Sequence, residues 1–246
     1  MSIPGDIVTE TLYGSSFQYR SGTTDEVVLD PKYIRTRFAP MEDAILPKDG
    51  VVLDIGAHIG AISLLAARYV PSGTVHLVEP SLENYILLKR NIANVQGGGT
   101  HFVSHKLALG AMNGRARLYH APGSVGHSFY ALKDWVNEPF EPRPMEFGDA
   151  IPYEEVEVRT LKSFLSYIGE TEIDFMKMNI EGAEYAVLLE SSEDTLRAIK
   201  CMTVELHPEG EGKAQELIGR LHDIGFTTSF TSTNTPYVEG WVTAKL

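Results

Sequence analysis

Residues 54–60, DIGAHIG, constrain this chain more than any other stretch of it. They follow an apolar run, VVLDI at 51–55, that reads as a buried strand, and they lead into a helix expected from about Ile59 to Tyr69. In that helix Ile62, Leu65, Ala66 and Tyr69 fall at i, i+3, i+4 and i+7, which puts one face toward a sheet. A strand, a glycine turn and a helix in this order open a doubly wound α/β fold. Gly56 lets the chain turn sharply at the strand end, and Gly60 lets the helix begin close to a ligand. The free N–H groups of such a helix start suit a carboxylate.

The rest of the chain continues the alternation. TVHLVE at 74–79 reads as the next strand, and Ser81 as the N-cap of a helix through about Val95, with Glu83 in its first turn. A strand is expected near 101–109 (HFVSHKLAL), and Asn113-Gly114 as a tight hairpin turn into RARLYH. Thr160 caps a short helix whose Leu161, Phe164, Leu165 and Ile168 share a face and which stops at Gly169. A strand at 173–179, a helix from about Ala183 and a strand at 200–206 follow. A helix near 212–224 places Ala214, Leu217, Ile218 and Leu221 on one side and stops at Gly225. Two last strands, 226–230 and 237–244, have only the turn-rich STNTP between them and are therefore antiparallel. Seven main strands alternating with helices imply a largely parallel sheet covered on both faces, closed by a C-terminal antiparallel hairpin.

At 246 residues the chain suits one domain with a generous core. Within it, 1–49 is an aromatic, turn-rich lead-in to the substrate pocket, 50–119 the cofactor half, and 154–246 the catalytic half with the hairpin. Residues 120–153 hold five of the 13 prolines and six aromatic residues, too much proline for a central strand. They read either as a lid-like insertion over the strand ends or as a packed surface excursion. The net charge of −12 argues against nucleic-acid or anionic-membrane partners, which need basic patches. One cysteine, Cys201, allows no internal disulfide, and no CxxC pair exists for zinc. His101 and His105 make no clear chelate, so spacing argues for no metal site. The N-terminus, MSIPGDIVTE, lacks a basic region followed by an apolar one, and no apolar run approaches the length of a membrane span, so a cytoplasmic protein is the expectation. Oligomeric state leaves no mark on the sequence.

Three constellations carry chemistry. The first is the glycine turn together with Glu79, 25 residues after Asp54 at the end of the next strand, where an acid accepts both hydroxyls of a ribose. Together they point to a nucleoside-bearing cofactor across the strand ends, although Gly56 and Gly60 also suit plain helix–strand packing. The turn reads Gly56-Ala57-His58-Ile59-Gly60, with bulky His58 where a dinucleotide fingerprint needs a glycine against the pyrophosphate. That disfavours NAD and leaves S-adenosylmethionine, which has no pyrophosphate. The second is FMKMNIEGAEY at 175–185, where Lys177, Asn179 and Glu181 alternate and could converge at a strand end. The alternative is an internal ion pair of Lys177 with Glu181 or Glu184. The third is VELHP at 204–208, in which Glu205 and His207 share strand parity and His207 could face the same crevice.

Taken in order, VVLDIGAHIG, VEP at 78–80, LALG at 107–110, VRTL at 158–161, DFMKMNIEGAEY and VELHP resemble the FkbM family over residues 50–207. The resemblance implies a Rossmann-like, seven-stranded class I methyltransferase sheet. It also implies S-adenosylmethionine as cofactor, S-adenosylhomocysteine as product and, as acceptor, a hydroxyl of a sugar, polyketide or related small molecule. Asp54, Gly56 and Gly60 would then hold the methionine end with His58 in the turn, Glu79 the ribose, and Ala108 and Leu109 would lie beside the adenine. His58 stands where the family has Asn in DxGANxG, and Asn179 where it has Asp in KxDxEGAE. The expected reaction is in-line attack of the hydroxyl on the sulfonium methyl. Glu181 and His207 are the candidate bases, and Lys177 and Asn179 would orient the substrate oxygen. An NAD-dependent oxidoreductase and a non-catalytic cofactor-binding module are the alternatives.

Overall fold

The computed structural model describes residues 5–30, 33–34, 41, 44–95, 98–120, 126–128, 152–208, 212–233 and 238–246. The chain starts with a hairpin, β1 (Ile7–Leu12) and β2 (Ser15–Arg20), and a 3-10 helix over Thr24–Leu29. Then come β3 (Val51–Ile55), α1 (Ala61–Ala66), β4 (Thr74–Val78), α2 (Leu82–Ala93) and β5 (His101–His105). Strands β6 (Ala108–Leu109), β7 (Gly114–Tyr119) and β8 (Tyr153–Arg159) follow. The second half contains α3 (Leu161–Ile168), β9 (Phe175–Met178), α4 (Glu184–Leu189) and α5 (Glu193–Arg197). It ends with β10 (Cys201–Leu206), α6 (Lys213–Ile224), β11 (Thr227–Ser232) and β12 (Gly240–Lys245).

The seven-stranded sheet runs β11-β12-β10-β9-β3-β4-β5. Strands β5, β4, β3, β9 and β10 are parallel, and β12 lies antiparallel between β10 and β11, so the closing hairpin is as expected. Every residue of β9 and β10 is buried, the mark of parallel strands covered on both faces. Alternation in β3 and β9 sorts the two cores. Leu53, Ile55, Met176 and Met178 pack under α3 and α6, while Val52 and Phe175 pack on the opposite face with Ile62 of α1 and Leu88 of α2. Asp54 and Lys177 share that second face and are register partners on adjacent strands.

Three local expectations need correction. The strand expected over 101–109 breaks after His105, whose carbonyl accepts from Glu79 N, and β6 joins a separate sheet ordered β6-β8-β7. Asn113-Gly114 therefore makes no hairpin, since β8 lies between the strands it was expected to join; Asn113 Oδ1 accepts from Thr160 N instead. The first helix starts later than expected, because His58 (φ 53°) and Gly60 (φ 90°) keep the turn left-handed up to its first residue, and it ends at Ala66 rather than Tyr69. Thr160 does cap α3, accepting from Ser163 N, and Gly169 and Gly225 end α3 and α6 in left-handed conformations. Ser81 occupies the N-cap of α2 without a side-chain cap bond, and Glu154 of β8 accepts from Leu82 N there. The lid expected over 120–153 lies outside the described residues except at 120, 126–128 and 152–153. The N-terminal hairpin is fastened to α2, with Gln18 N donating to Asn91 Oδ1 and Asn91 Nδ2 to Gln18 O. Among the described residues no helix is long and apolar enough to cross a membrane, and no cluster of three or more His, Cys, Asp or Glu could hold a metal ion.

Candidate active site

A cleft of about 870 Å³, open to solvent, lies at the C-terminal ends of β3, β4 and β9, where open α/β sheets bind ligands. Its wall includes Gly56, Ala57, Glu79, Ala108, Leu109 and Glu181. Gly56 has φ 77°, and a Cβ there would stand 1.8 Å from the Asn179 carbonyl oxygen, so only glycine fits. The N–H groups of Gly56 and Ala57 both donate to Val78 O, which ties the turn to the end of β4. His58 also occupies the left-handed region, which Asn and His tolerate better than most residues. This is the physical reason that either serves at this position.

Glu79 is buried at the end of β4. It accepts from His58 N (2.9 Å) and Ser81 N (2.9 Å), and the Asn84 side chain bonds to it as well. Burial pushes its carboxyl up, opposed by the nearby His58 and by these hydrogen bonds. Three donors on about four lone-pair sites leave one for a ribose hydroxyl. Ala108 and Leu109 supply an apolar wall from the second sheet.

Lys177 lines the cleft, and its ammonium is also engaged by the fold. Its ammonium lies 3.0 Å from Asp54 Oδ1, off hydrogen-bond alignment, and donates to Gly56 O (2.6 Å) and Ile55 O (3.3 Å). Two of its three protons go to these carbonyls, and its charge faces Asp54. The alternative pairing with Glu181 or Glu184 is absent, since both carboxylates face His207. Asp54 also accepts from Ser63 Oγ (2.6 Å).

His207 is 2% exposed, with Nδ1 2.9 Å from Glu184 and Nε2 3.2 Å from Glu181. Burial disfavours its charge, but the Glu184 carboxylate, together with hydrogen bonds to and the charge of Glu181, outweighs burial and raises it to about 11. This pairing favours the protonated ring, which has no lone pair to act as a base, so Glu181 is the better suited of the two candidates. Glu184 accepts in addition from Ile180 N and Gly182 N, closing the turn after β9. Glu181 sits in that turn at φ 56°, with its carbonyl accepting from Ser128 Oγ (2.7 Å). Asn179 donates to buried Glu205 (2.9 Å), and its Oδ1 is buried with no hydrogen-bond partner among the described residues. Strand alternation stops at Met178, where β9 ends; Lys177, Asn179 and Glu181 nevertheless all line the cleft, as expected.

Several residues at the site escaped the sequence reading. Val28 from the 3-10 helix, Asn84 of α2, Leu118 of β7 and His127 all line the cleft. Burial and then the charge of neighbouring His120 push His127 down to about 3, so it is neutral. No spacing rule links these four segments. The residues present suit the expected nucleoside cofactor. Gly56 leaves a cradle that a Cβ would fill, Glu79 stands at the strand end, and His58 Nδ1, Ser81 Oγ and Asn179 Oδ1 are buried with no hydrogen-bond partner among the described residues.

Comparison with known proteins agrees. The sequence model described as Methyltransferase FkbM domain matches residues 54–228. Among curated relatives, Methyltransferase sdnD of Sordaria araneosa is 27% identical over 199 residues, covering 74% of this chain and 76% of its own. Methyltransferase 1 of Beauveria bassiana is 26% identical over 174 residues, covering 66% and 67%. The crystal structure of an FkbM methyltransferase from Methylobacillus flagellatus superposes with a TM-score of 0.54 at 14% identity, a likeness of fold. That match covers 90% of this chain and 53% of the other, so this chain spans about half its length. With the family match over most of the chain the oxidoreductase alternative falls, and the chain belongs to the FkbM family of S-adenosylmethionine-dependent methyltransferases.

Proposed function

We propose that the chain is an O-methyltransferase acting on a hydroxyl of a neutral small molecule, of sugar, polyketide or related type, with Glu181 as general base. The observation that carries this reading is the Glu181 carboxylate, lining the cofactor cleft from a strained turn. A non-glycine residue in this conformation costs on the order of 1–3 kcal/mol and persists where its surroundings hold it. Here the Ser128 hydroxyl holds its carbonyl and the His207 cation its side chain.

When bound, S-adenosylmethionine supplies a methyl group on an electrophilic sulfonium. The protein has to hold the acceptor oxygen in line and take its proton. Alignment contributes on the order of 7–11 kcal/mol, and a positioned base about 10²–10⁴-fold. Gly56 and Glu79 hold the cofactor, with Ala108 and Leu109 against its base, while Asp54 and Gly60, which do not line the cleft, shape the turn behind it. Glu181 accepts the hydroxyl proton while His207 and Glu184 keep it in place. Asn179, anchored by Glu205, offers Oδ1 to a donor on the acceptor. A neutral acceptor suits this lining, since Glu79 and Glu181 are acids, Lys177 is committed to the β3 end and His127 is uncharged.

The test is methyl transfer from labelled S-adenosylmethionine to a panel of neutral glycosides, phenols and polyketide alcohols. An O-methyl ether is expected, and Glu181→Gln should lower kcat by about 10²–10⁴-fold with cofactor affinity unchanged. A fully active Glu181→Gln enzyme would remove Glu181 as the base. Label found on nitrogen or carbon would overturn the O-methyl assignment.

A further inference from the structure

We propose that the His58 ring contacts the amino-acid end of the cofactor, accepting a hydrogen bond from its ammonium at Nδ1, and that Asp25 of the N-terminal segment positions that ring. The inference concerns the cofactor alone, so it stands or falls apart from the identity of the acceptor.

His58 lines the cleft with its side chain 14% exposed, and both ring nitrogens are buried without an aligned hydrogen bond among the described residues. Leaving a buried polar group unsatisfied costs about 1–3 kcal/mol. The left-handed backbone at φ 53° adds to that cost at the same residue. A ligand that completes the hydrogen bonding of the ring would account for the first of these.

The two nitrogens are not equivalent. Nε2 lies 3.2 Å from Asp25 Oδ1. A carboxylate beside one nitrogen draws the ring proton to it, leaving the other as a lone-pair acceptor. Asp25 is fully buried and fixed, accepting from Arg20 N (2.8 Å), Nε (2.7 Å) and Nη2 (2.9 Å). The same guanidinium donates to Asn84 Oδ1 (2.6 Å), and Asn84 bonds Glu79. The His58 ring and the ribose acid are thus held by one network that begins in the N-terminal hairpin.

Strand order says which end of the cofactor meets His58. Glu79 ends β4, the apolar wall of Ala108 and Leu109 follows β5, and His58 follows β3 on the opposite side of β4. A nucleoside laid across these strand ends with its base toward β5 and its ribose at β4 brings the amino-acid tail to β3. That tail carries an ammonium, and the carboxylates of Asp25 and Glu79 favour a cation beside the ring.

Calorimetry with three ligands tests this without turnover: S-adenosylhomocysteine, its analogue lacking the amino group, and methylthioadenosine, which lacks the whole amino-acid end. His58→Phe keeps a ring in place and should weaken S-adenosylhomocysteine by about 10–100-fold, the worth of a hydrogen bond to a charged group, leaving the other two ligands unchanged. Asp25→Asn should show the same selectivity and add nothing to His58→Phe in the double variant. If Asp25→Asn does not fold, Asp25→Glu keeps a carboxylate for Arg20 while displacing it from Nε2, and takes its place. Equal loss for all three ligands, no loss for S-adenosylhomocysteine, or additive effects of the two substitutions would each overturn the proposal.

Discussion

Replacing Lys177 by methionine removes the cation that faces Asp54 inside the sheet while filling much the same volume. Lys177 is 6% exposed and Asp54 1%, so neither can turn to water. The variant leaves the Asp54 carboxylate with Ser63 Oγ at 2.6 Å but without its counter-charge. It also strips a donor from the carbonyls of Ile55 and Gly56, which set the cofactor turn. Breaking a buried pair from one side costs about 3–5 kcal/mol, because an uncompensated charge stays behind. That is a large share of the roughly 5–15 kcal/mol by which domains are stable.

Urea unfolding followed by circular dichroism reads this directly. With a slope near 3 kcal/mol per molar, the midpoint should fall by about 1–1.7 M. The double variant Asp54→Asn, Lys177→Met removes both charges, so its loss should be smaller than the two single losses together by about 1–3 kcal/mol. A Lys177→Met protein within about 1 kcal/mol of the parent, less than the cost of stranding a buried charge, would refute the strut assignment. If that protein bound S-adenosylhomocysteine normally yet failed to transfer methyl, Lys177 would return to the list of groups that touch the acceptor.

Stability should peak near pH 6.5 and fall on both sides, each limb set by histidines. Burial, then neighbouring charge, pushes His76 and His105 down to about 4, so the unfolded chain binds more protons below about 6.5 and stability drops toward pH 4; His207, raised to about 11, contributes fully below 6.5 and loses its contribution as pH rises toward 11. Each imbalanced proton is worth up to about 1.4 kcal/mol per pH unit; urea midpoints at pH 5, 6.5 and 9 check this, and a flat profile contradicts it. Gly56→Ala should abolish S-adenosylhomocysteine binding and lower the melting temperature, because its Cβ would overlap the Asn179 carbonyl at 1.8 Å and no rotamer relieves a backbone clash. Cofactor affinity unchanged in that variant would mean that the two turns move apart freely.

What could be read in advance followed from local rules. The glycine turn, the Thr160 cap, the Gly169 and Gly225 stops and the helix-free closing hairpin each depend on a few adjacent residues. Glu79 was legible because a strand ending at Val78 fixes where the next residue stands. The convergence of Lys177, Asn179 and Glu181 on the cleft was legible, but the ion-pair partner of Lys177 was not. Its true partner, Asp54, is 123 positions away in sequence and adjacent only through the β3–β9 register. The 101–109 stretch reads as one strand by composition, but the β6 segment finds its ladder with β8, which no local pattern announces. Asp25 left no signal either, since an acid after two threonines in a turn-rich stretch looks like any exposed loop residue.

The strain in this chain is not scattered. Among the described residues the non-glycines with positive φ are Tyr13, His58 and Glu181, and two of the three stand at the cleft, on the turns that follow adjacent strands β3 and β9. Those turns touch where Gly56 meets the Asn179 carbonyl, with no room for even a methyl group. Lys177 fastens them from beneath, reaching from β9 to the carbonyls of Ile55 and Gly56. A shift of the cofactor turn therefore moves the turn that carries Glu181. Methyl transfer demands that donor, carbon and acceptor stay in line, and a misplacement of about 1 Å can cost about a hundredfold in rate. Joining the cofactor turn to the turn bearing the proposed base through a glycine contact and a buried ion pair lets one binding event set both ends of that line.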